Sequence, residues 1–68
     1  MDSWQKVYSD TTEYRAEIVR AVLADREMKP VLLNKKDSAY QLGHFEVLVA
    51  PEFVLKALKI INEEIKFE

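Results

Sequence analysis

The amino-acid sequence predicts an α+β domain, an antiparallel sheet carrying two helices on one face. Three observations lead there. Two segments, residues 11–26 and 51–64, repeat apolar side chains at helical spacing. Three others, residues 4–8, 30–34 and 44–49, are short and rich in β-branched, aromatic or leucine residues, as strands are. The last two strands are joined by about ten residues, too few for a parallel crossover, so they run antiparallel.

Trp4-Gln5-Lys6-Val7-Tyr8 alternates and forms the first strand. Ser9-Asp10 ends it, and Asp10 with Glu13 has the spacing of a capping box. In the first helix the expected buried stripe is Tyr14, Ile18, Ala21 and Val22, widened by Val19 and Leu23. No glycine follows it, so either a residue of Asp25-Arg26-Glu27-Met28-Lys29 takes the left-handed exit at a small cost in strain, or the exit uses another geometry.

Pro30 suits a strand start, and Val31-Leu32-Leu33 is apolar on both parities, which predicts an interior strand with both faces covered, or with one face covered by a partner. Residues 34–43 read as an irregular loop. In the third strand Phe45, Val47 and Val49 share one face, while His44, Glu46 and Leu48 share the other. Pro51 and Glu52 open the second helix, where a proline lacks no needed N–H and a carboxylate favours the dipole. Its expected stripe is Val54, Ala57, Leu58, Ile61 and Ile65. The tail from Ile65 is either a fraying helix end or a last strand.

The order β-α-β-β-α, with an optional final β, and a right-handed crossover between the first two strands give a ferredoxin-like two-layer sandwich. The expected helix-facing core is Val7, Ile18, Val22, Val47, Val49, Val54, Leu58 and Ile61. The other face of the sheet is left without a helix. Trp4, Tyr8 and Leu48 are expected there, with Leu32 as the contribution of the second strand, beside Lys6 and Glu46. An apolar face on so small a domain implies self-association, a dimer before other forms, through this face or by edge-strand pairing; a monomer with a few exposed apolar residues is the plainer alternative.

Composition narrows the functions. A chain of 68 residues makes one domain, 1–68, and the absence of cysteine removes disulfides, thiolate metal sites and thiol catalysis. A single histidine excludes a multi-histidine metal site, and a single glycine excludes a glycine-rich phosphate loop. No cofactor is expected. A net charge of −2 gains little from nucleic acid. The polar start and the lack of a long apolar run point to a cytoplasmic chain with no membrane segment.

Val7-Tyr8, Arg15 to Leu23, Val31-Leu32-Leu33-Asn34, Phe45 to Val49, Pro51-Glu52 and Ala57-Leu58 together resemble a family of small prokaryotic signal-transducing domains without an established activity. The resemblance covers nearly the whole chain. It implies a ferredoxin-like fold related to the PII nitrogen regulators, and a bacterial sensor or interaction module. This chain departs from that family in carrying Arg26-Glu27-Met28 where a glycine turn is common. It also has a shorter loop than the PII regulators and lacks their phosphate cradle.

Two groups of residues carry candidate chemistry. Asn34, Lys35, Lys36, Ser38 and Tyr40, with His44 beside them, could hold a small anionic metabolite or nucleotide. They offer two point charges, a hydroxyl, an amide and a stacking ring. His44 with Glu46 two residues on could serve proton transfer, with Ser38 and Asp37 nearby; a solvated histidine at a strand start is the plainer reading. No catalytic residue and no metal site is assigned, and the expected activity is non-enzymatic.

Overall fold

The computed structural model describes residues 4–37 and 42–67. It is an α+β fold with elements β1 (Gln5–Asp10), α1 (Glu13–Asp25), β2 (Val31–Asp37), β3 (Leu42–Val49) and α2 (Val54–Glu64). A single 3-10 turn, Pro51–Phe53, leads into α2. The sheet has the order β1-β3-β2, with both outer strands antiparallel to β3.

β2 corrects two expectations. It is an edge strand, not an interior one. Its apolar residues occupy both parities because Leu32 packs against the core while Val31 and Leu33, each 38% exposed, lie on the opposite face. β2 also continues to Asp37, pairing Asn34 with Phe45, Lys35 with His44 and Lys36 with Gly43. Most of the expected loop is therefore strand. Lysines read as loop in the sequence, yet an edge strand tolerates them because its outer rim is solvated.

β1 corrects a third. Gln5 and Lys6 pair with Val49 and Leu48, but Tyr8 pairs with Val47, so Val7 is an extra, bulged residue. Strict alternation would put Tyr8 on the same face as Trp4. The bulge turns Tyr8 to the helix side, where its ring lies 6.3 Å from that of Phe67.

One hydrophobic cluster draws on both helices and on β1 and β3: Val7, Ala16, Val19, Leu23, Met28, Val47, Val49, Ala57 and Ile60. Val7, Val47 and Val49 are where the sequence places them. The helical stripes are rotated from expectation. α1 buries Ala16, Val19 and Leu23, while Ile18 and Val22 are half-buried and Tyr14 is exposed. α2 buries Ala57 and Ile60; Val54 and Ile61 are half-buried, and Leu58 stays 43% exposed. Both helices are apolar over more than one face, so periodicity alone leaves the rotation open. Ala16 and Ala57 turn inward, which lets each helix approach the cluster closely, whereas Ala21, expected in the buried stripe, is exposed.

The exit from α1 is a Schellman motif. Glu27 N–H donates to the Ala24 carbonyl (2.9 Å) and Met28 N–H to the Leu23 carbonyl (3.2 Å). Glu27 occupies the left-handed position at φ 65°, and Met28 buries its side chain against the same core as Leu23. A non-glycine residue pays about 1–2 kcal/mol for that conformation, part of which glycine would give back as unfolded-chain entropy. Glu27→Gly is therefore expected to stabilise the fold by about 1 kcal/mol, read as a higher urea midpoint at unchanged slope. A lower midpoint would contradict this assignment.

α1 begins at Glu13, later than expected, because β1 runs through Asp10. The capping box does not form: the N-cap is Thr12, with no side-chain cap bond. Asp10 instead accepts Thr12 N–H at 2.9 Å through Oδ1, and Tyr8 O–H at 2.5 Å through Oδ2. At the other end α2 stops at Glu64, which pairs with Arg26. Ile65 is extended and Phe67 packs on the core, with no final strand among the described residues.

Candidate functional site

The sheet face opposite the buried cluster is built by register. Lys6, Leu48 and Val31 lie in one row across β1, β3 and β2. Ser9, Glu46 and Leu33 form the next, and His44 and Lys35 the last. Trp4, two residues before Lys6, joins Val31, Leu33 and Leu48 around a shallow apolar hollow of about 240 Å³. Trp4 itself is 48% exposed.

Next to the hollow is an ion cluster centred on Glu46, whose side chain is only 12% exposed. His44 Nε2 donates to Glu46 Oε2 at 2.8 Å, and the ammonium groups of Lys6 and Lys35 stand 3.8 and 3.9 Å from its two oxygens. The hydrogen bond from His44 holds the Glu46 carboxyl below the usual carboxylate range; the charges of Lys35 and Lys6 add to this against the cost of burial. Glu46 thus contributes stability at neutral pH that fades as pH falls through its lowered pKa. Both lysines are half exposed, and each ammonium stands beyond hydrogen-bond length from Glu46. Among the described residues, no three His, Cys, Asp or Glu side chains converge as a metal site would require.

The sequence-derived candidates divide across this geometry. Lys35 and His44 face each other on the open face. Asn34 and Lys36 belong to the opposite parity of β2, so Lys35 and Lys36 point to opposite sides of the sheet and cannot clamp one anion together. Ser38 and Tyr40 fall outside the described residues. Of the interface candidates, Trp4 and Leu48 share the hollow, while Tyr8 and Leu32 pack toward the core. Tyr8 leaves because of the bulge, and Leu32 because Val31 and Leu33 supply the open-face parity of β2. Sequence reasoning foresaw the His44–Glu46 contact but not Glu46 as the hub of three basic groups. The missing signal was the register, which brings Lys6 and Lys35 in from neighbouring strands.

A second cluster anchors the chain end. Arg15 lies 4.0 Å from Asp10, and its guanidinium stacks 5.5 Å above the Phe67 ring. Tyr14, Ile18, Val22 and the tail from Glu64 to Phe67 line a groove of about 580 Å³ beside it. Burial, reinforced by the Asp10 carboxylate, pushes the Tyr8 phenol from 10.0 up to about 12. Its hydrogen bond in turn holds the Asp10 carboxyl below the usual range. Folding favours the protonated phenol, so Tyr8's contribution is whole below pH 10 and is lost as pH climbs toward 12. An ultraviolet titration of the folded chain is expected to show one late-ionising phenol that Tyr8→Phe removes. A late phase surviving that substitution would contradict the assignment.

No protein-family model, curated protein or solved structure matches the chain.

Proposed function

We propose that the chain is a non-enzymatic interaction module that self-associates through the uncovered face of its sheet, a cytoplasmic signal-transducing domain in its cellular role. The strand order β1-β3-β2 with intervening helices supports a ferredoxin-like sandwich with three strands among the described residues, which fits the PII-like resemblance. The observation that carries the proposal is the contiguity of Trp4, Val31, Leu33 and Leu48 on the face opposite the buried cluster. No helix among the described residues is long and apolar enough to cross a membrane.

A domain of this size has a core that leaves only a few kcal/mol of margin, and small domains without disulfides or metals commonly gain stability by association. A dimer is the smallest such assembly. Sedimentation equilibrium tests it: the average mass is expected to rise above 8.0 kDa with concentration. A constant 8.0 kDa up to millimolar chain would overturn it.

A second reading rests on the half-exposed ammonium groups of Lys6 and Lys35: the same face binds a small anionic metabolite or nucleotide near His44. It expects ligand-dependent thermal stabilisation that Lys35→Ala abolishes, since a ligand that binds only the folded state raises its stability. An unchanged stabilisation in Lys35→Ala would place the ligand elsewhere.

A further inference from the structure

We infer that what covers the open sheet face is the outer face of α2 from a second copy, docked head to tail. This rests on the reading that the face binds another copy, and it specifies which surface of that copy is bound. Charge order favours it. Across the sheet, Lys6, Glu46 and Lys35 form a diagonal that reads positive, negative, positive. Along the outer side of α2 and its entry turn, Glu52, Lys56, Lys59 and Glu63 follow one another at helical spacing, and all four are exposed. That stripe reads negative, positive, positive, negative, with glutamates outside and lysines inside, where the diagonal has lysines outside and a glutamate inside.

Apolar surface agrees as well. Leu55 is 83% exposed and Leu58 43%, and both flank the charged stripe on its apolar side. They suit the hollow formed by Trp4, Val31, Leu33 and Leu48. A two-fold contact between sheet faces would instead bring four lysines together against two glutamates, and would leave Leu55 in water. A head-to-tail contact uses two different surfaces, so it builds a ring or an open chain in place of a closed dimer.

The test uses two variants that each block one surface. Leu48→Glu spoils the sheet face and Leu55→Glu spoils α2, and circular dichroism on each verifies the fold. Each variant alone is expected to sediment as a monomer at concentrations where the wild type associates. Mixed in equal amounts, they are expected to form a one-to-one pair and nothing larger, because one intact sheet face meets one intact helix face. If Leu55→Glu associates as the wild type does while Leu48→Glu does not, the helix docking is overturned and the sheet-face reading survives. If Leu48→Glu also associates like the wild type, that reading falls too. Two monomeric variants that do not combine when mixed would likewise overturn the inference.

Discussion

Leu23→Ala is expected to cost about 3 kcal/mol, enough to remove most of the stability of a domain this small. Leu23 is fully buried, in contact with the strand valines' cluster, and packs where the chain turns back through Met28. Its carbonyl also accepts Met28 N–H, so the side chain fills space at the point where the backbone exit is fixed. Truncation leaves a cavity that the surrounding elements close only in part. The control is Leu58→Ala. Sequence periodicity puts Leu58 in the core, but it is exposed, so its truncation is expected to cost under about 1 kcal/mol. Urea unfolding of the pair checks both. Equal losses, or a larger one at Leu58, would contradict the observed rotation of the helices.

Leu48→Glu is expected to weaken self-association at least about tenfold, a change of roughly 1.4 kcal/mol or more. Leu48 lies on the central strand between Lys6 and Val31, in the middle of the open face. A carboxylate there breaks the apolar hollow on this face and must be desolvated if a partner covers it. Folding should survive, because the new carboxylate stands opposite Lys6 on β1 and remains wet in the monomer. Lys36→Glu changes charge on the opposite side of the sheet and serves as the control. Sedimentation of the two variants at matched concentrations reads the difference. Equal weakening by both would mean that net charge, not the face, governs association.

The sequence disclosed the three strands and two helices in their chain order, because each carries its own period, turn signal or proline, but read the 3-10 turn Pro51–Phe53 as part of the second helix. It disclosed the buried parity of β3 for the same reason: Phe45, Val47 and Val49 alternate with polar or exposed-face neighbours. It did not disclose what depends on partners distant in the chain. The bulge at Val7 has no local mark, since a valine in a strand looks the same whether paired or extra. The helix rotations were hidden by apolar residues spread over more than one face. The extra length of β2 was hidden by lysines that only an edge position tolerates.

The same limit applies to the candidate site. His44 and Glu46 were adjacent by alternation alone, and the structure bonds them. Lys6 and Lys35 reach the same carboxylate only through the register of β3 with both neighbours. Trp4 and Leu48 could be assigned to the open face from the sequence, whereas Tyr8 and Leu32 required knowledge of one bulge and one parity. The strained exit from α1 was foreseen in kind, and the structure locates it at Glu27, with a second left-handed residue at Lys29.

The most direct test of the central claim is a dilution series followed by amide and indole resonances of the ¹⁵N-labelled chain. Trp4 is the only tryptophan, so its indole N–H reports on the apolar hollow without ambiguity. The account predicts concentration-dependent shifts at that indole and at the amides of Lys6, Val31, Leu33 and Leu48. Spectra unchanged from micromolar to millimolar chain, or shifts that leave this face untouched, would contradict it.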